Sequence, residues 1–351
     1  MSNFLDNRPT RVPVPADWLR IRTIDMHTGG EPLRVIVEGF PELPGDSVLA
    51  RRRYIRDHYD HLRTALMFEP RGHADMYGCL LLPPDTPDGD FGILFMHNEG
   101  YSTMCGHAVI AISTLAVRMG WVKVETPETR IRIDAPCGRI HSFVSIGKGG
   151  GVTGVRFHCV PSFVVGLDLS VDLPHFGSVS YDLAYGGAFY AYVDARPLGL
   201  DLTPDNYRQL IDLGMQIKHA VIESNPGILH PFESDLSFLY GTIFIGDSPT
   251  PGIHSRNVCV FAEGEVDRSP TGSGVSGRMA IHHARGEVGP GEKMRIESIV
   301  GSVFEGSVAD IVDFGPYRAV IPEVAGEAHI TGEHTFLIDP ADPFREGFIL
   351  R

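Results

Sequence analysis

No basic run longer than Arg51-Arg52-Arg53 occurs in this 351-residue chain. Its 30 Lys and Arg stand against 44 Asp and Glu, a formal charge of −14 at pH 7, so the electrostatic footprint of a nucleic-acid or anionic-membrane partner is missing. No apolar run approaches the ~20 residues of a membrane-spanning helix. The opening stretch is interrupted by Pro9, Pro13 and Pro15 and holds no apolar core of a secretory leader. The expected location is therefore cytoplasmic. Cysteine is scarce, with five residues at 79, 105, 137, 159 and 259. They form no CxxC pair and are odd in number, which argues against a disulfide framework and against a zinc site, and most read as buried small apolar residues.

What the chain does have is a repeat. Met104-Cys105-Gly106-His107 and Pro270-Thr271-Gly272-Ser273-Gly274 each open an apolar-periodic segment. At the 166-residue spacing that sets Cys105 on Thr271, Glu99 falls on Glu265, Gly106 on Gly272, Val109 on Val275 and Gly120 on Gly286. Ile131-Arg132-Ile133-Asp134 and Met294-Arg295-Ile296-Glu297 continue the match to Gly138 and Gly301 at a spacing of 163. Such self-similarity predicts two related lobes. Val109, Ile112, Ala116 and Met119 recur at helical spacing, Val275, Met279 and His282 do so more loosely, and Gly120 and Gly286 stand where a helix ends on glycine.

Two helices that aim their N-termini at one cleft offer unpaired N–H groups and positive dipole ends to an anion, most simply a carboxylate. Cys105 and Thr271 would flank whatever carries that carboxylate. A helix N-terminus with His107 alongside is expected to lower the Cys105 thiol below its ordinary value of about 8.5 and make it a thiolate base. A threonine hydroxyl can donate or accept a hydrogen bond but has no accessible ionisation with which to take a carbon-bound proton, and Thr271 also serves as a helix N-cap. Asp267, four residues earlier, can accept from a substrate ammonium or cap its own turn.

In chain order, residues 1–20 read as an irregular arm. A strand from Ile21, a glycine turn at 29–30 and a second strand from Leu33 to Glu38 follow. Residues 51–66 read as one exposed amphipathic helix carrying solvated His58 and His61. Strands are expected at Tyr77–Leu82 and Phe91–His97, short strands over 121–198, and a helix from Asp205 to Lys218. The strand-to-helix change sets an expected division into a first lobe, 1–198, and a second, 199–338, with 339–351 packing back on the first. Few helices among many strands make the fold α+β, a sheet wrapped on a central helix in each lobe. Gly272-x-Gly274-x-x-Gly277 with Glu297 spells a dinucleotide fingerprint, but residues 263–271 separate it from the preceding strand and the equivalent Cys105 loop lacks it, which argues against that reading.

Asp25-Met26-His27-Thr28-Gly29-Gly30-Glu31-Pro32, Glu69-Pro70-Arg71-Gly72-His73, the Cys105 loop, Gly186-Gly187-Ala188-Phe189-Tyr190 and Asp267-Arg268-Ser269-Pro270-Thr271-Gly272 together resemble the proline racemase superfamily. That superfamily shares its fold with diaminopimelate epimerase, and the resemblance covers about residues 21–345. It implies Cys105 as proton acceptor, Gly106 and His107 beside the substrate carboxylate, Asp267 at the ring nitrogen, and Gly272 and Ser273 as the second helix-end contact. It also implies a small imino-acid substrate, no metal or organic cofactor, and a homodimer. Racemases and 4-hydroxyproline epimerases carry cysteine in both loops; threonine at 271 is the pattern of the trans-3-hydroxy-L-proline dehydratases. The resemblance thus implies dehydration to Δ1-pyrroline-2-carboxylate by one thiolate. The α-hydrogen and hydroxyl share a ring face in that substrate, so a syn elimination is expected. The alternatives are a hydroxyproline 2-epimerase or proline racemase-type isomerase with a substitute for the second cysteine, and a non-catalytic imino-acid binder.

Overall fold

The computed structural model describes residues 12–174, 176–224 and 227–350. Residues 1–11 of the expected arm lie outside that range. Seventeen strands in the described residues join one continuous hydrogen-bonded network. The first group is β1 (Leu19–Thr28), β2 (Glu31–Glu38), β3 (Tyr77–Leu82), β4 (Phe91–His97), β5 (Glu128–Ala135), β6 (Gly138–Ile146) and β7 (Val152–His158). Then come β8 (Phe163–Leu173), β9 (Gly177–Tyr185), β10 (Phe189–Asp194), β11 (Leu239–Gly246), β12 (Ser255–Phe261) and β13 (Glu265–Val266). The last are β14 (Met294–Glu297), β15 (Val303–Phe314), β16 (Tyr317–Gly326) and β17 (Ala328–Ile338). The helices are α1 (Val48–His58), α2 (Asp60–Met67), α3 (Gly106–Arg118), α4 (Tyr207–Ser224) and α5 (Gly272–Ala284).

Strand order explains the sequence repeat. One half runs β17-β1-β2-β3-β4-β5-β6-β7, the other β8-β9-β10-β11-β12-β14-β15-β16, and β7 pairs antiparallel with β16 to join them. Both halves show the same succession of neighbours: two antiparallel, one parallel, one antiparallel, one parallel, two antiparallel. Each half wraps one helix, α3 against β1, β2, β6, β7 and β17, and α5 against β8, β9, β15 and β16. The fold is the expected α+β pair of sheet-wrapped helices.

The division expected at 199 is corrected by this order. It falls at the β10-to-α4 crossover, the counterpart of the β2-to-α1 crossover, whereas the chain passes between the halves after β7 and returns with β17. The glycine turn at 186–187 is thus the counterpart of that at 29–30, each joining two antiparallel strands. Residues 339–350 lie against the 69–71 turn, where Phe348 N–H donates to the Glu69 carbonyl at 2.9 Å and Arg71 donates to the Phe344 carbonyl at 2.8 Å.

Helices α3 and α5 are 13 residues each and buried on every side over most of their length, as a helix inside a sheet must be. Both end on a left-handed glycine, Gly120 at φ +68° and Gly286 at φ +74°. The following N–H groups reach back to Ala116 and His282 at 2.9 and 2.8 Å, the Schellman pattern.

The single helix expected at 51–66 is two. Ser47 caps α1 by accepting from Ala50 N at 3.1 Å, and Tyr59, in neither helix, interrupts the run. Nor is the second piece exposed: Leu62, Ala65, Leu66 and Met67 enter the core, and buried Arg63 pairs with Asp60 at 2.7 Å while donating to the His97 carbonyl at 2.8 Å. Charge density misled here because a buried arginine with partners looks like a solvated one in sequence. His58 and His61 are exposed. The helix expected at 205–218 runs from Tyr207 to Ser224.

Candidate active site

Helices α3 and α5 meet N-terminus to N-terminus. A Cβ placed on Gly106 would stand 2.5 Å from the Gly272 Cα, and one placed on Gly272 would stand 2.6 Å from the Gly106 Cα. Only two glycines permit that approach, since a real Cβ does not come within 3 Å of another heavy atom. The contact brings the unpaired N–H groups of both first turns to one point.

Around it lies a small cavity lined by all the residues expected from sequence: Cys105, Gly106 and His107 from the first loop, and Asp267, Thr271, Gly272 and Ser273 from the second. Tyr77, Met104, Tyr190, Tyr240, Cys259 and Phe261 complete the lining. Of these, Met104 and Tyr190 belong to quoted motifs; Tyr77, Tyr240, Cys259 and Phe261 were not singled out as site residues. The signal was available for two of them. Carried back into the strands that flank the two helix loops, the repeat sets Cys259 on Phe95 and Phe261 on His97, at a spacing of 164 because the loop after β12 is two residues longer.

Cys105 is the N-cap residue of α3, and its Sγ lies 3.2 Å from His107 Nδ1. Thr271 is the N-cap residue of α5, with φ +66°. A β-branched residue in left-handed backbone costs about 1–3 kcal/mol and persists where surrounding structure imposes it. Here Ser269 Oγ accepts from Thr271 N at 3.2 Å and Val275 N donates to the Thr271 carbonyl at 2.7 Å, fixing the residue from both sides. Its hydroxyl is not used as a cap. The Thr271 Oγ1 is buried and faces the Asp267 carboxylate and the Cys259 thiol instead.

The other motifs support these loops. Thr28 Oγ1 donates to the His107 carbonyl at 2.9 Å, and Glu31 accepts from Arg268 N at 2.7 Å. Tyr190 and Ser273 hydroxyls bond at 2.8 Å, Tyr192 donates to the Gly274 carbonyl at 3.0 Å, and Gly186 packs against the α5 backbone where a Cβ would lie 2.2 Å from the Ser273 carbonyl oxygen. Gly274 and Gly277 make room for Ile243 and the Tyr192 ring. Glu297 is held by Arg256 at 2.9 Å, so the residues that spell a dinucleotide fingerprint are occupied in packing.

The electrostatics correct one expectation. Burial pushes the Cys105 thiol well above its ordinary value, opposed by the Ala108 N–H and the Tyr77 hydroxyl. Burial also holds the His107 imidazole down at about 3, so His107 is neutral and lends the thiol no positive charge. The resting pair is a thiol beside an imidazole rather than a thiolate at neutral pH. Asp267 is raised to about 6, by burial first, against the opposing Ser269 and Thr271 bonds. Glu31 is raised further, by burial and then by the Asp267 charge. Arg268, whose charge opposes both shifts, is paired with Asp75 at 2.8 Å. The cavity therefore presents helix-end donors for an anion, one carboxylate for a cation, and a thiol and a hydroxyl at the two loop positions.

Residues 23–349 match the sequence profile of a family described as proline racemase. A trans-3-hydroxy-L-proline dehydratase of Colwellia psychrerythraea is 50% identical over 334 residues, covering 95% of this chain and 94% of that protein. A 3-hydroxyproline 2-epimerase of Burkholderia multivorans is 48% identical over 331 residues, covering 94% and 98%. Among solved structures, a hydroxyproline epimerase from Agrobacterium vitis with bound trans-4-hydroxy-L-proline superposes with a TM-score of 0.87 at 32% identity, covering 95% of this chain and 96% of that one.

Proposed function

This chain belongs to the proline racemase family, and on that premise we propose that it dehydrates trans-3-hydroxy-L-proline to Δ1-pyrroline-2-carboxylate and water. The observation that carries the reading is the pairing of unlike groups at like positions: Cys105 at one helix start, Thr271 at the other, across one cavity. The dehydratase relative supports the substrate.

The substrate carboxylate sits on the N–H groups at Gly106–His107 and Gly272–Ser273, and the ring ammonium on Asp267. Burial makes the empty site reluctant to hold a thiolate; an arriving ammonium supplies the positive charge that neutral His107 does not, and draws the thiol toward its anion. Cys105 then removes the α-proton. The negative charge that develops on the carboxylate is met by helix-end donors fixed in advance, an arrangement whose individual donors contribute about 3–4 kcal/mol in other enzymes. Hydroxide leaves from the same ring face, receiving the proton from Cys105, and the enamine tautomerises to the imine. Thr271 offers the opposite face no carbanion-quenching acid of its own.

The finer features follow the same reading: Cys105 as base, a cytoplasmic enzyme, and a homodimer by analogy with the family. Among the described residues no helix is long and apolar enough to cross a membrane. The test is proton NMR of the purified protein with trans-3-hydroxy-L-proline, trans-4-hydroxy-L-proline and L-proline in parallel. Conversion of the 3-hydroxy compound alone into a pyrroline carboxylate supports the proposal; inversion of the 4-hydroxy compound or of proline as the main reaction replaces it with the isomerase reading.

A further inference from the structure

The cavity holds a second thiol. Cys259, on β12, lines it with Cys105 and Thr271 and is 1% exposed. At the position that matches it in the sheet ladder the first half carries Phe95, which is fully buried. One half therefore sets a cysteine in the helix loop against a phenylalanine in the strand, and the other sets a threonine against a cysteine. The sulfur missing from position 271 is present one layer back. The Thr271 hydroxyl is 5% exposed, lines the cavity and stands between the Cys259 thiol and the Asp267 carboxylate, within bonding reach of both. Backbone geometry ties the strand to the loop, since Asp267 N donates to the Cys259 carbonyl at 3.1 Å. A buried cysteine in a core is ordinary packing. One that shares a cavity with a catalytic thiol and stands beside a hydroxyl that also lines that cavity has a proton path.

We propose that Cys259 is the proton source and sink for the second face of the substrate, passing its proton through the Thr271 hydroxyl, so that the enzyme carries a slow α-inversion activity on imino acids with no leaving group at C3. This deepens the function proposed above and rests on its assignment of Cys105. The Cys105 thiolate takes the α-proton from one face. Thr271 gives its hydroxyl proton to the other face of the carbanion and in the same motion takes the proton of Cys259. The products are the inverted imino acid, a Cys105 thiol and a Cys259 thiolate, and the reverse reaction restores the starting charges. With a 3-hydroxyl present, loss of hydroxide competes for the same carbanion and drains it.

The experiment follows L-proline and D-proline separately with the full-length enzyme in D2O, reading α-deuteration by NMR and configuration by chiral chromatography. The wild type should exchange both enantiomers and slowly interconvert them. Cys259→Val, which removes the thiol and keeps an apolar side chain of similar size, should lower exchange of D-proline relative to L-proline by about 10²-fold, the scale of one lost acid–base group. Thr271→Val should do the same by cutting the relay, and Cys259→Ser, which keeps a small polar side chain without the thiol's acidity, should not restore the activity. Packing alone predicts equal losses for both enantiomers, so an unchanged D-to-L exchange ratio in Cys259→Val overturns the inference. So does a wild type that dehydrates trans-3-hydroxy-L-proline and never exchanges D-proline. A wild type that neither dehydrates nor exchanges overturns the Cys105 assignment itself, which separates the two failures.

Discussion

Replacing Asp267 by asparagine should make the protein more stable and less active, with a gap in stability that depends on pH. Asp267 is buried and its carboxyl is raised from 3.8 to about 6. A raised carboxyl binds its proton more tightly folded than unfolded, so its favourable contribution is complete below pH 3.8 and is lost as pH rises through 6. A displacement of that size corresponds to about 3 kcal/mol at pH 7.5 and above. Asparagine keeps an oxygen to accept the 2.7 Å bond from Ser269 N and carries no charge to desolvate. With about 2.1 cal/mol/K of unfolding entropy per residue, a 351-residue chain turns 3 kcal/mol into a melting-temperature rise of about 4 °C. Differential scanning calorimetry of both proteins from pH 4 to 8 should show no gap near pH 4, growth through pH 6 and a plateau above it. Steady-state kinetics should show kcat/KM down by about 10²-fold, the consequence of removing one partner of a buried charge pair with the substrate ammonium. A gap that does not vary with pH, or a wild type more stable than the variant at pH 8, would refute the reasoning.

Gly106→Ala should force the two helix starts apart, because its Cβ falls 2.5 Å from the Gly272 Cα; a melting-temperature loss of several degrees together with collapse of activity is expected, and unchanged values of both would deny the contact. The profile of kcat/KM should fall as pH drops through about 6, where Asp267 loses its charge, and should keep rising above pH 8, because the Cys105 thiol is held above its ordinary value in the free enzyme; a plateau reached by pH 7 would restore the resting thiolate. Arg34→Leu strands the Asp25 carboxylate that the guanidinium now holds at 2.9 Å in a buried pair, and should cost about 3–5 kcal/mol in chemical denaturation.

The repeat made the site legible because the two halves retain the same residues where chemistry and close approach restrict the choice: Gly106 and Gly272 at the helix contact, Gly120 and Gly286 at the helix ends. Where only a pleated, half-buried surface is needed, many residues serve, and the kinship of β8–β10 with β17, β1 and β2 left little trace beyond two glycine turns. That is why the division fell at 199 on a local change from strand to helix pattern, although strand order puts the passage between halves after β7. The thiol's state was illegible for another reason. A helix N-terminus and a neighbouring histidine are visible in sequence, but the burial that neutralises His107 and raises Cys105 belongs to the packed cavity. Cys259 was counted with the structural cysteines because 154 residues of chain separate it from Cys105, and only the meeting of the two halves makes them neighbours of one ligand.

The central claim is that Cys105 drives an elimination, and proton NMR of trans-3-hydroxy-L-proline in D2O with the wild type and Cys105→Ser side by side tests it most directly. The account predicts that the wild type converts the substrate to Δ1-pyrroline-2-carboxylate while the Cys105→Ser protein, folded and melting near the wild-type temperature, leaves it unchanged and undeuterated at the α-carbon. Turnover by Cys105→Ser within tenfold of the wild type, or a wild type that returns the α-deuterated epimer without loss of water, would contradict it.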